Sequence, residues 1–342
     1  MKNFVAITLS LLLAFTGICS SAHAQAITVL TVARSIPLAG YSGSFDHFSF
    51  DAKSRRFFLA AEDNGTVDVF SLDSGAHLST MSGFKNPHSI LSLPGAPTIL
   101  VTDSGESKSQ LIDASTLKKI RNLKLTLGAN CLLYDAQKKR IYVTAGGDRV
   151  GMRRSTLIAV DPTTGDVLQS VSVDALHLQP MALDTAENRL FVAIADENAV
   201  GVFDRDSLRL LATWKIGPGK HKHSPIAFDD KHHRLFLASD DPGDLIVFNT
   251  DTGKITGSLS VPGDADDVDF DPASHRLFLP SGEGFLTVFD VSDPDHVKQI
   301  ARVATGKDAE TGMFLAQEGK YLLAVPEQEK GEPAHVVIFN VR

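Results

Sequence analysis

The sequence predicts an all-β chain folded as a single seven-bladed β-propeller with four-stranded blades. Three observations predict it: one motif recurs seven times, each copy holds several short strand-like runs, and the two chain ends complement each other. The motif is an aspartate, an arginine five residues later, and an apolar run. It stands complete at Asp51 and Arg56 before FFLA, Asp135 and Arg140 before IYVT, Asp184 and Arg189 before LFVA, Asp229 and Arg234 before LFLA, and Asp271 and Arg276 before LFLP. Two degenerate copies, Leu93 to Thr98 before ILVT and Leu315 to Lys320 before YLLA, fill the gaps, so that copies recur every 42 to 49 residues. A period of about 40–50 residues built from short strands is the signature of propeller blades.

Each element has its reason. The first strand ends at the aspartate, a polar turn follows, and the second strand is the apolar run after the arginine. A turn rich in Gly, Asp or Ser leads to a third apolar run such as Val67-DVF or Leu245-IVF. The fourth is an alternating segment such as Val167-LQSVSV or Leu211-ATWKI. β-Branched and aromatic runs bounded by turn residues read as strands, and helical periodicity is almost absent. The seventh copy stops after its third strand at Arg342, while an unassigned alternating strand begins at Ile27. Placing residues 27–38 as the outer strand of blade 7 closes the ring and leaves no open sheet edge. A solenoid would instead need capping repeats, and none is visible. The predicted blades span 44–84, 85–127, 128–175, 176–219, 220–263, 264–306, and 307–342 with 27–38.

The first residues carry an export signal pattern. Lys2 precedes the apolar run Phe4 to Phe15, and Ala22-His23-Ala24 is a small-x-small cleavage pattern. Residues 1–24 are therefore expected to be a leader cut after Ala24, giving a periplasmic or secreted protein. The residues before Cys19, ending in bulky Ile18, make a poor lipobox. Without the leader the net charge moves from −8 to −9, since one lysine is lost. An acidic chain is a poor general partner for nucleic acid or anionic membrane. Cys131 alone remains, so no intramolecular disulfide is possible and packing must hold the ring.

The repeats resemble the YVTN family of periplasmic β-propellers, the YncE-like group, over essentially the whole chain beyond the leader. Arg140-IYVT followed by Ala159-VDPTTG is the closest copy of the family unit. The resemblance implies an exported, mostly non-enzymatic binding or scaffold role. It also brings DNA binding, linked to some relatives, and lactonase activity, found among propeller cousins, as alternatives.

Registering the copies on the Asp–Arg frame exposes one position, five residues before the aspartate, that is polar in all seven blades. It holds Asp46, His88, Asn130, Gln179, Ser224, Asp266 and Glu310. With 43% of the chain hydrophobic, an unselected position would hold several apolar residues. The first strand of a blade lines the central channel, so these residues should ring its mouth. Either the mouth is polar for solvation alone, or it binds a ligand or a cation held by Asp46, Asn130, Asp266 and Glu310. Oxygen donors of this kind suit calcium or a similar divalent cation; no other cofactor is expected.

The same face should carry basic loops. An insertion in blade 3, Gly146-GDRVGMRR, adds Arg149, Arg153 and Arg154, and the link into blade 5 adds Lys220 and Lys222. Arginine forks and lysines could clamp an anion, or the loop could be plain solvated surface, flexible at its glycines. His221 and His223 form a weak H-x-H metal pattern, and His232-His233, in a turn on the opposite face, is given no role. Covalent haem is excluded for want of C-x-x-C-H, and no G-x-S-x-G elbow is present. The leading expectation is a binding or scaffold propeller for a small anionic ligand or a periplasmic partner protein. The alternative is a lactonase-like hydrolase with a cation on the axis.

Overall fold

A computed structural model describes residues 29–93, 96–105, 108–217, 225–329 and 331–342. The expected leader, together with Lys220, His221, Lys222, His223 and Ser224, lies outside these residues. Seven four-stranded antiparallel sheets form the blades of a propeller, and the helical content of the described residues is three short 3-10 turns. Among the described residues no helix is long and apolar enough to cross a membrane. Blade 1 is typical, with strands Phe48–Asp51, Arg56–Ala61, Thr66–Ser71 and His77–Ser82 running outward from the axis. Blade 7 is built from Gly312–Leu315, Lys320–Val325, His335–Val341 and, outermost, Leu30–Pro37. The seam is thus an antiparallel pairing of the two chain ends, with Leu30 opposite Val341.

The Asp–Arg motif explains itself in the hairpin between first and second strands. Aspartate and arginine are cross-strand partners in all five complete copies. The aspartate carboxylate accepts turn N–H groups, as from Lys53 at 3.0 Å, Lys138 at 2.9 Å and Glu187 at 3.0 Å. The residue before the arginine adopts left-handed backbone, with φ between 50° and 55° at Arg55, Lys139, Asn188, His233 and His275. The arginine then reaches the chain just past the third strand of the next blade. Arg56 donates to the Ala114 carbonyl at 2.9 Å, Arg140 to Arg205 at 3.5 Å, Arg189 to Thr250 at 2.7 Å, and Arg276 to the main-chain oxygen of Arg342. Arg234 instead forks onto the Asp295 carboxylate at 2.7 and 2.8 Å. In degenerate blade 2, Thr98 takes the arginine's place with a 3.5 Å contact to the Pro162 carbonyl.

Apolar packing follows the same plan. Among the described residues the buried apolar side chains fall into seven clusters, each shared by two neighbouring blades. Phe57, Leu59 and Phe70 of blade 1 pack against Leu322, Val336 and Ile338 of blade 7 across the seam. The outer strands face water, which leaves Val32, Leu78, Ile120 and Leu168 exposed along the rim.

Candidate functional site

The first strands converge on the axis, so residues just before them ring one channel mouth. Asp46, His88, Asn130, Gln179, Asp266 and Glu310, six of the seven registered positions, line one cavity of about 130 Å³. The cavity also takes Glu62, Asp264 and Arg149, none of which sits at the registered position. Glu62 comes from the turn between the second and third strands of blade 1, and Asp264 from the link between blades 5 and 6. That turn opens at the mouth, but no periodicity singles out Glu62 within it.

His88 is the hub. Its Nδ1 bonds the Asp46 carboxylate, its Nε2 lies 2.8 Å from Ser104 Oγ, and the same nitrogen is 3.7 Å from Glu62 Oε1. Asp46 and His88 are both buried. Burial alone would raise the Asp46 pKa, but the charges of His88 and His47 and their hydrogen bonds hold it far below the usual carboxylate range. Burial opposes protonation of His88, yet the Asp46 charge and hydrogen bond raise its imidazole above the ordinary value. Across the mouth the balance is reversed. Burial first, and then the charges of Asp266, Asp264 and Asp308, push the Glu310 carboxyl up to about 10. Burial and the Asp46 charge likewise raise Glu62, against the lowering effect of His88.

One step deeper, the channel holds a second ring. His47, Ser89, Cys131, Pro180, Pro225 and Asp267 line a cavity of about 580 Å³. His47 Nδ1 lies 2.9 Å from Asp267 Oδ1, and the Asp267 and Asp46 carboxylates raise its imidazole well above the ordinary value although burial works the other way. Burial raises the Cys131 thiol, which fits a packed core residue and not a nucleophile.

The blade 3 insertion brings Arg149 over the mouth. Its tip is a 3-10 turn, Asp148–Val150, flanked by Gly147 at φ 90° and Gly151 at φ 73°. A side chain at residue 147 would meet the Leu176 carbonyl at 1.9 Å, so glycine there permits close docking onto the neighbouring link. The Asp148 N–H donates to that carbonyl at 3.3 Å, and Asp148 Oδ1 lies 3.4 Å from His177 Nδ1. The glycines thus seat the loop against blade 4, where sequence reasoning expected slack. Arg149 lines both the 130 Å³ cavity and an adjoining one of about 350 Å³ that Ser104, His88, Asn130 and His177 also border. Arg153 and Arg154 are exposed and line neither.

Fold and mouth together define a seven-bladed β-propeller whose channel opening gathers carboxylates around a histidine. No protein-family model matches the chain, and no curated protein matches it. Among solved structures 1640 chains match. One is a chain from the "Crystal Structure of Mitotic Checkpoint Complex", 13% identical, covering 99% of this chain and 99% of that one with a TM-score of 0.75. At that identity the likeness shows the fold alone.

Proposed function

We propose that this chain is an exported propeller of the YVTN type that binds its ligand at the channel mouth through a divalent cation. Export rests on the leader pattern around Lys2 and Ala24, and the YVTN reading on the repeated Asp–Arg unit. The observation that carries the site is the convergence of Asp46, Glu62 and His88, whose donor atoms lie within 4.8 Å of one another. Asp46 holds His88 by Nδ1, which turns Nε2 toward Glu62. A carboxylate behind an imidazole is the usual support of a metal-binding histidine. Two ligands of one tetrahedral ion stand about 3.4 Å apart, close to the 3.7 Å between His88 Nε2 and Glu62 Oε1. An imidazole among the donors favours zinc, manganese or iron over the calcium expected from oxygen donors alone.

Electrostatics point the same way. Five carboxyl groups line the cavity, those of Asp46, Glu62, Asp264, Asp266 and Glu310, and their crowding keeps a proton on Glu310 that a bound cation would displace. A bound cation supplies the positive charge that an anionic or carbonyl oxygen of the ligand needs, and Arg149 adds a planar fork beside it. The ligand is a small molecule or a side chain of a periplasmic partner. The test is metal analysis and calorimetric titration of the chain from residue 25 onward with Mn²⁺, Zn²⁺ and Ca²⁺. We expect a site lost in Glu62→Gln and in His88→Ala; a chain in which neither variant changes cation binding refutes the reading.

One observation favours a hydrolytic second reading. Ser104 Oγ, His88 Nε2 and Asp46 form a hydrogen-bonded chain beside the 350 Å³ cavity. In it, Ser104 would attack an ester or lactone carbonyl while His88 takes its proton and returns it to the leaving alkoxide; water then hydrolyses the acyl-serine. Ser104→Ala separates the two: it abolishes ester turnover in the second reading and leaves cation binding unchanged in the first.

A further inference from the structure

On the face opposite the mouth, Asp229, His232 and His275 bring one donor atom each to within 4.8 Å of one another. We infer that these three residues form a transition-metal site, of the zinc class, that clamps blade 5 to blade 6. The residues come from the hairpin turns between first and second strands of the two blades. The His232 and His275 rings lie 5.4 Å apart at 57°, and Asp229 Oδ2 is 2.6 Å from His232 Nδ1.

A purely local role explains His232 but not His275. In blades 1 and 6 the residue three beyond the aspartate is Ser54 or Ser274, and each hydroxyl donates to that aspartate at 2.5 Å. His232 occupies this position in blade 5 and satisfies Asp229 in the same way. His275, from the next blade, has no such duty: its Nδ1 is buried and has no hydrogen-bond partner among the described residues. A buried imidazole nitrogen left unpaired is unfavourable unless something not yet counted pairs with it. Its position, beside a second imidazole and a carboxylate, makes a cation a fitting partner for His275, with the Asp229–His232 hydrogen bond exchanged for coordination. Two nitrogens and one carboxylate suit zinc or its neighbours and leave a coordination position open. Asp229 and His275 also line a cavity of about 550 Å³, with Lys231 beside them. His233 is not part of the set, because its Nδ1 is engaged with Asp251 at 2.9 Å. With Cys131 the sole cysteine beyond the leader, a metal clamp is a covalent-like tie between blades that the sequence does not otherwise supply.

The test uses the chain from residue 25 onward with Zn²⁺ alone as probe. His275→Asn keeps a residue that tolerates the left-handed φ of 53°, and His232→Ser installs the cap that blade 6 already uses. Each variant is expected to weaken zinc binding at this site by about 100-fold or more, since even supporting residues around a metal are worth about 10–100-fold. In a Glu62→Gln background, which removes the proposed mouth site, zinc should raise the melting midpoint of the chain that keeps both histidines and not that of either variant. Glu62→Gln, at the mouth, should leave this binding intact, so failure here and failure at the mouth are told apart. Zinc affinity and zinc-induced stabilisation unchanged in both His275→Asn and His232→Ser would overturn the assignment.

Discussion

Single residues near the axis carry charge states that their neighbours impose. Burial, and then the adjacent Asp267 charge, push the Asp269 carboxyl from an ordinary 3.8 up to about 8, although the Phe314 N–H donates to it at 3.1 Å. Between those two values the folded chain keeps a proton that the unfolded chain has released. The group's contribution is therefore full below pH 3.8, erodes as pH rises to about 8, and is constant beyond. Asp269→Asn imitates the neutral acid and should remove that erosion. Urea unfolding at pH 5 and pH 8 reads it: the parent loses more stability between the two than the variant does. Equal losses would mean that Asp269 is ionised in the fold.

At the scale of elements, the blade motif is a latch as well as a turn, and its most buried version lies between blades 3 and 4. Arg205, at the end of the third strand of blade 4, is fully buried and donates to Asp135 at 2.6 and 3.0 Å. Its own carbonyl accepts from Tyr142 at 3.1 Å and from Arg140. Removing one partner of a buried ion pair strands the other charge, a loss of about 3–5 kcal/mol. Arg205→Ala should therefore cost about that much in a denaturant melt, whereas Thr98→Val, in the blade without the arginine, should cost under about 1 kcal/mol. Comparable losses from the two would show that the latch adds nothing beyond packing. This level of the fold was legible in the sequence because the Asp–Arg spacing repeats, and repetition turns one turn geometry into a register for all seven blades. The same register found Asp46, His88, Asn130 and Glu310, which share the mouth because they share a strand position. It was blind to Glu62 and Ser104, which sit in turns after the second strand where lengths differ from blade to blade. It was equally blind to the meeting of His232 with His275. Those two occupy different positions of their turns, and only the angle between blades 5 and 6 brings them together.

The whole ring depends on a closure that the chain makes with its own ends. Leu30–Pro37 is the outer strand of a blade whose other three strands lie some 300 positions later in sequence, and the Arg342 N–H donates to the Val29 carbonyl at 3.0 Å. The strand also buries Ile36, and just past it Leu38 is buried and its N–H donates to the Ala334 carbonyl at 2.7 Å. Because the two ends meet as neighbouring antiparallel strands, an Asn-Gly turn fits between Arg342 and Val29. A chain starting at Ala39 and carrying residues 29–38 after that turn keeps every strand pairing, with its new ends at a position where Ala39 and Gly40 are exposed. It should melt within about 2 °C of the parent, a shift of roughly 1 kcal/mol for a chain of this size. A chain that simply lacks residues 29–38 bares the His335–Val341 edge and the apolar groups beneath it. That edge is a template for pairing with another copy. It should therefore appear as dimers or aggregates in size-exclusion chromatography and lose the parent's sharp melt. A stable monomer from the deletion, or an unfolded rearranged chain, would show that the seam is not what holds blade 7 in the ring.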